Sequence, residues 1–338
     1  MQYTGFVPQN IAPHGVRRIG VYDSAGKRVG KIPLGGLNPP SNIGQRTYAF
    51  GALSDVHYSY QTGAEDFARA LKYLVETEKV AFTCICGDLT SNGTADQLAS
   101  YKSSVDVNSP NIPVYAIAGN HEGHNSEIVS IIETYTGHPL YYSFEYAGDV
   151  FIMVGVKSNT GDALFSDGEL QWLYETLEEN RNKRCFVFQH VRPQDGCGNA
   201  FGIYAYDIWS GTEQRVFESL LRHYKNVILF HGHSHLKYDL QQEYGAGANI
   251  DRLFGVHSIH LSSITVPRDG DASGASSRVE VYAESEGTIV DVYPSGIMLR
   301  ARDFVGERLI PLGTYWLDTT LQTVEAGTYT DSTGTITT

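Results

Sequence analysis

The chain has 338 residues, with 25 Lys and Arg against 38 Asp and Glu and a formal net charge of −13. That balance excludes a broad basic surface for nucleic acid. Charged residues make up 19% and hydrophobic residues 41%, with 22 Tyr and 14 Phe, which suits a sizeable core and excludes a mostly disordered chain.

At roughly 150 residues per domain, the length fits two domains or one large α/β domain with an appendage. No apolar run is long enough for a transmembrane helix, and the first twenty residues show no apolar core of a Sec-type signal. Residues 1–46 are rich in Gly, Pro and Asn. Asp23-Ser24-Ala25-Gly26 between two apolar runs reads as a turn, which predicts a hairpin in an N-terminal arm.

From Thr47 the pattern changes. Apolar runs at Tyr48–Leu53, Val80–Cys86 and Pro113–Ala118 alternate with helical spacing over Gly63–Glu78 and Thr94–Val107. The second half repeats the theme. Val150–Val156, Cys185–Phe188 and Val227–Phe230 read as strands, with helices over Gly168–Arg181 and Gly211–His223. Such alternation predicts an α/β fold with largely parallel pairing. Beyond it, 258–265, 279–283, 288–293 and 296–302 read as antiparallel strands, with a turn at Pro294-Ser295-Gly296. The tail from Thr319 is dominated by Thr, Gly and Ser and reads as loosely held or partner-dependent. The resulting division is an arm (1–46), a core (47–240), C-terminal strands that complete or cap it (241–318) and a tail (319–338).

The 4 Cys show no ligand-type spacing. Cys84 and Cys86 point to one face of a strand and are poorly placed to pair; Cys185 and Cys197 stand alone. Free thiols fit a reducing compartment or a short extracellular life.

Five polar clusters stand at the ends of five apolar runs: Asp55-Val56-His57, Gly87-Asp88, Gly119-Asn120-His121-Glu122, His190, and Gly232-His233-Ser234-His235. Ligands of open α/β sheets bind beyond the carboxyl ends of strands. If these runs are neighbours, all five clusters face one crevice. The donors are carboxylates, an amide oxygen and imidazoles, without thiolate. Mixed N/O ligation suits Mn, Fe, Zn, Ni or Co, and Asp88 could bridge two divalent ions of the kind that clamp a phosphoryl group.

In this order the clusters resemble the calcineurin-like metallophosphoesterase superfamily, whose pattern is D-x-H, G-D, G-N-H-[ED], a lone His and G-H-x-H. The resemblance spans about residues 47–240. It implies mixed β-sheets flanked by helices, an αββα-like sandwich with a small antiparallel C-terminal β region. It also implies one metal held by Asp55, His57, Asp88 and His235, a second held by Asp88, Asn120, His190 and His233, and a hydroxide nucleophile on the metals. His121 is left facing the substrate as general acid for the leaving alkoxide. The stretch Gly87-Asp88-Leu89-Thr90-Ser91-Asn92-Gly93 is most similar to the phosphodiesterase branch.

The chain departs from two branches at Ser91. Protein Ser/Thr phosphatases have an Asp there that orients the catalytic His, and purple acid phosphatases have a ligating Tyr. Asp96 or a backbone carbonyl are the candidates for orienting His121. Glu122 is a partner of a ligand or a surface carboxylate. His124 is a substrate contact or a loop histidine; Arg192 binds a substrate phosphate or is a solvated loop arginine. His231, His257 and His260 read as structural. The loop 191–210, with Tyr204, Tyr206 and Trp209, is a specificity element or a plug over the core.

The expected activity is therefore metal-dependent phosphohydrolysis, with manganese or another divalent transition metal, on a small-molecule or polymer phosphodiester. The alternatives are a phosphomonoesterase or nucleotidase, or an attachment protein that keeps the metal fold and assembles, as a homo-oligomer or with a partner, through its ends. The expected location is cytoplasmic, or on a virion or envelope if phage-borne.

Overall fold

The computed structural model describes residues 17–22, 28–34, 43–158, 164–193, 197–198, 211–238, 250–253, 256–270, 278–319, 328–331 and 334–337. Two mixed sheets form the centre. The first runs in the order Arg308–Leu309, Gly296–Asp303, Glu286–Tyr293, Tyr48–Leu53, Thr83–Cys86, Val114–Ile117, with Tyr315–Asp318 also pairing with Gly296–Asp303. The second runs Ile250–Leu253, Val256–His260, Val227–His231, Cys185–Gln189, Asp149–Val154, Tyr141–Tyr146.

The inner strands of each sheet are parallel: Tyr48–Leu53 with Thr83–Cys86 and Val114–Ile117 in the first, and Asp149–Val154 through Val256–His260 in the second. They read as unbroken apolar runs because helices cover one face and the other sheet covers the opposite face. Between the sheets lies an aromatic layer. Phe50 and Phe82 stack at 5.4 Å, Phe151 and Phe186 at 4.8 Å, and Phe188 and Phe230 at 4.7 Å, all buried in one cluster drawn from both sheets. Helices Gly63–Lys72, Ala95–Asn108 and Ser126–Thr136 cover the first sheet, and Asp167–Glu179 and Gly211–His223 the second. The layers are helix, sheet, sheet, helix, as the resemblance implied.

Helix starts follow local chemistry. Ser166 Oγ accepts from the Glu169 amide at 3.2 Å while Glu169 returns to the Ser166 amide at 2.7 Å, satisfying two end donors together. The stretch 258–265, expected to be antiparallel, holds Val256–His260, which pairs antiparallel with Ile250–Leu253 on one side and parallel with Val227–His231 on the other; it is buried throughout as an inner strand must be. The hairpin of Glu286–Tyr293 and Gly296–Asp303 adds antiparallel to Tyr48–Leu53. All four cysteines are buried free thiols.

Arg17–Tyr22 pairs antiparallel with Arg28–Leu34 in the expected arm hairpin; its turn, 23–26, lies outside the described residues. Thr328–Asp331 and Gly334–Thr337 pair in the tail, and 320–327 lie outside. So do 194–196 and 199–210, with Tyr204, Tyr206 and Trp209. Among the described residues no helix is long and apolar enough to cross a membrane.

Candidate metal centre

Each polar cluster follows a strand, and the backbone there turns sharply. Asp55, His57, Asp88, His233 and His235 all have positive φ, between 42° and 73°, a region that costs a non-glycine residue about 1–2 kcal/mol. Gly87 (φ 83°) must be glycine on two counts, because a Cβ would also lie 2.5 Å from the His190 ring. These turns send side chains from both sheets to one point. Donor atoms of Asp55, His57, Asp88 and His235 lie within 4.8 Å of one another, as do those of Asp88, His190 and His233. Asn120 joins the second group: its Oδ1 is 2.7 Å from His233 Nδ1 and 3.1 Å from His190 Nε2. All seven expected ligands thus converge, and Asp88 belongs to both groups.

The hydrogen bonds behind these residues fix which nitrogen is bare. His190 Nδ1 donates to the Cys86 carbonyl at 2.6 Å and His235 Nδ1 to the Val266 carbonyl at 3.1 Å. A carbonyl only accepts, so the neutral rings present unprotonated Nε2 to the centre. His190 Nε2 then stands 3.2 Å from Asp88 Oδ2, and His235 Nε2 stands 2.9 Å from Asp55 Oδ1. Asp55 Oδ1 is buried without a hydrogen bond among the described residues, although Oδ2 accepts from Ser54 Oγ at 2.6 Å and from the His233 amide at 3.0 Å. Electron pairs aimed at each other across such distances call for a cation between them, and the residues present fit one.

The charges agree. Burial would raise the Asp55 carboxyl, but His235 and His190 outweigh it and hold it far below the usual range. Asp88 is likewise held well down, against burial, chiefly by His190 and His121. Burial pushes His57 and His233 down to about 3, helped by His235 and His190 respectively. For His190 burial is outweighed by Asp88 and Asp55, which lift it to about 9; a proton there competes with a cation.

His121 sits at the mouth, its side chain 34% exposed. Its amide donates to Asp88 Oδ1 at 2.9 Å, and its Nδ1 donates to the Ser91 carbonyl at 2.5 Å. The backbone carbonyl of Ser91, not Asp96, orients the ring. Glu122 is buried, which removes the surface reading. It accepts from the amides of Gly119 (2.9 Å) and Thr90 (2.9 Å) and from Thr90 Oγ1 (2.8 Å), tying the Asp88 turn to the Asn120 turn. Burial and then Asp88 push its carboxyl up.

A cleft of about 510 Å³ opens on the centre. His57, Asp88, Asn120, His121, His233 and His235 line its base, and Tyr60, Asn92, Arg268 and Glu280 stand on its walls. Asp55 and His190 lie buried beneath. His124 is exposed, its ring 6.0 Å from that of His121, and is not among the described lining residues. Arg192 is buried rather than solvated. Its Nη1 donates to the Pro193 carbonyl at 2.8 Å, and its charge bears on His231 and His260 behind the centre. Sequence reasoning missed Arg268 and Glu280, which carry no motif. It also missed the part played by His260, whose Nε2 meets Ser234 Oγ at 2.6 Å, between the candidate ligands His233 and His235.

Residues 48–237 match the family model of the calcineurin-like phosphoesterases. No curated protein sequence matches the chain. In fold the chain is similar to GAP50, the anchor in the inner membrane complex of Plasmodium (TM-score 0.55, 14% identity, 83% of this chain and 91% of that one). It is also similar to the purple acid phosphatase PPD1 from yellow lupin seeds (TM-score 0.55, 11% identity, 87% of this chain and 58% of that one). At these identities the likeness is one of fold.

Proposed function

The chain belongs to the calcineurin-like phosphoesterase family, the phosphoric ester hydrolases, and on that premise we propose that it hydrolyses phosphodiesters at a centre of two divalent cations. Asp55, His57, Asp88 and His235 would hold one ion; Asp88, Asn120, His190 and His233 would hold the other. The observation that carries this reading is the pair of donor groups that share Asp88. When bound, two such ions supply Lewis acidity, neutralising phosphoryl oxygens and lowering the pKa of a water towards neutrality.

The protein does the rest. The Cys86 and Val266 carbonyls keep the ligating nitrogens bare. Asn120 contributes an oxygen without charge. His121 has its Nδ1 proton committed to Ser91, so when protonated it presents Nε2–H to the cleft, where a leaving alkoxide needs a proton. Ser91, standing where other branches carry an Asp or a Tyr, supports the diester branch.

The test is elemental analysis of the purified chain beside turnover of bis(p-nitrophenyl) phosphate and p-nitrophenyl phosphate. Bound transition metal and faster diester turnover with Mn(II), lost on chelation, are expected. No turnover with any divalent metal defeats the hydrolase; faster monoester turnover defeats the diester preference in favour of a nucleotidase-like activity.

One observation favours a role for the ends as well. The hairpins at 17–34 and 328–337 are two-stranded sheets of their own, outside the family-matched span. They would serve association with a second copy or an assembly partner. An unchanged size-exclusion profile on removing 1–46 or 319–338 would dismiss this.

A further inference from the structure

Two side chains on the cleft wall are opposite in charge and poorly matched to each other. Arg268 and Glu280 face one another across the short antiparallel pair Arg268–Gly270 and Arg278–Glu280, and both line the cleft. The Arg268 backbone is strapped to the ligand loop: its amide donates to the His235 carbonyl at 2.8 Å, and its carbonyl accepts from the Lys237 amide at 3.3 Å. That strap holds the Arg268 main chain beside the loop that carries His235. Yet Nη2 stands 3.7 Å from Glu280 Oε1, beyond hydrogen-bond reach, and Nε is buried without a partner among the described residues. A guanidinium with spare donors beside a phosphoryl site is suited to an oxyanion.

Glu280 is fixed as well. It accepts from Tyr60 Oη at 3.2 Å and from Tyr282 Oη. Burial raises its carboxyl, but the Tyr282 hydroxyl and Arg268 outweigh that, so it stays ionised. The cleft wall thus offers one positive and one negative charge.

We propose that the Arg268–Glu280 pair is the charge selector of the cleft: Arg268 takes one non-bridging phosphoryl oxygen, and Glu280 rejects the second negative charge that a monoester carries and a diester lacks. The inference deepens the diester reading above and rests on it. A diester is a monoanion, whereas a monoester or free phosphate approaches a dianion at neutral pH. Both charges act on both esters, each about twice as strongly on the dianion. The repulsion from Glu280 therefore bears harder on the monoester, and that repulsive partner is what discriminates against it.

The experiment uses the metal-loaded full chain and the variants Glu280→Gln and Arg268→Gln, with metal content and melting temperature recorded for each. kcat/KM is measured on bis(p-nitrophenyl) phosphate and p-nitrophenyl phosphate, and inorganic phosphate affinity by calorimetry. Glu280→Gln should lower the diester-to-monoester ratio by about fivefold to tenfold and tighten phosphate by a similar factor. Arg268→Gln should raise KM for both substrates and weaken phosphate about tenfold or more, with partial recovery in Arg268→Lys. An unchanged ratio and phosphate affinity in Glu280→Gln, or unchanged phosphate affinity in Arg268→Gln, overturns the selector. Should one variant fail to fold, the other decides. A wild-type chain that turns over neither ester defeats the hydrolase reading instead, and one that prefers the monoester defeats the diester reading.

Discussion

Replacing Asp88 with Asn tests the centre at the point where its two halves meet. The change is isosteric, so the amide oxygen can still accept from the His121 amide, now 2.9 Å from Oδ1. What is lost is a unit of negative charge that lies 3.2 Å from His190 Nε2 and 3.7 Å from His57 Nε2. A unit charge acting over about 4 Å at an effective dielectric constant of about 20 contributes about 4 kcal/mol. At 1.36 kcal/mol per tenfold that is on the order of a thousandfold for a unit positive charge, and more in the affinity of each divalent cation. Elemental analysis of Asp88→Asn after dialysis should find less than half of the wild-type metal, and diester turnover should fall by about a thousandfold or more. Far-ultraviolet circular dichroism of the metal-free forms checks that both are folded. A folded variant that holds two equivalents of metal and turns over at the wild-type rate would refute the shared role of Asp88.

Three further outcomes follow from the same geometry. His121→Gln should lower kcat by about 10²–10⁴ on an alkyl diester but far less on a p-nitrophenyl diester, whose leaving group needs no proton; equal losses would dismiss the acid. Mn(II) at a hundredfold excess over its dissociation constant should stabilise the folded chain by about 2.7 kcal/mol, and a melting temperature indifferent to both Mn(II) and chelator would count against any metal site. In the metal-free protein, His57, His233 and His260 are held at about 3 against an ordinary 6.5, by burial first. The unfolded chain binds protons that these rings refuse, so their contribution is present above pH 6.5 and lost as pH falls towards 3. His190, lifted to about 9, works the other way: its contribution is complete below pH 6.5 and lost as pH rises towards 9. Denaturant titrations should therefore show greatest stability near pH 6.5, with the steeper fall on the acid side; a flat profile from pH 4 to 9 would contradict these environments.

The convergence of the seven candidate ligands was legible because their chemistry leaves little choice of residue and because each follows an apolar run that cannot be mistaken. The sandwich was legible for the same reason: inner parallel strands are apolar on both faces. Elements with weaker contrast were not. The edge strand Tyr141–Tyr146 buries none of its residues fully, and the helix Ser126–Thr136 buries only Ile128 and Ile132. Val256–His260 shows a local pattern, but its direction is set by pairing with Val227–His231. For the group that orients His121, a backbone carbonyl was named beside Asp96, but the sequence could not choose between them, because every residue has a main-chain carbonyl. Arg268 and Glu280 were hidden because their meeting depends on the register of two three-residue strands, which no spacing reveals.

The backbone of the centre explains why so much of the chain is spent around it. Five of the candidate ligands sit in the left-handed region, and such residues persist only where their surroundings over-determine them. Here they do. The Asp55 amide donates to the Gly87 carbonyl at 3.2 Å and the His57 amide to the Asp88 carbonyl at 3.0 Å, binding the first two turns together. Ile264 donates to the Ser54 carbonyl at 3.1 Å, and Ser263 Oγ to the Asp55 carbonyl at 2.9 Å. Those residues follow the strand Val256–His260 of the other sheet, and the His233 amide on Asp55 Oδ2 crosses between the sheets in the same way. Strain, buried carboxylates and buried imidazoles are thus concentrated in one seam between two sheets. The aromatic layer holds the sheets together from beneath, so the seam can keep its unfavourable geometry before any cation arrives. A cation then meets donors already aimed, and its binding energy is not spent on assembling them.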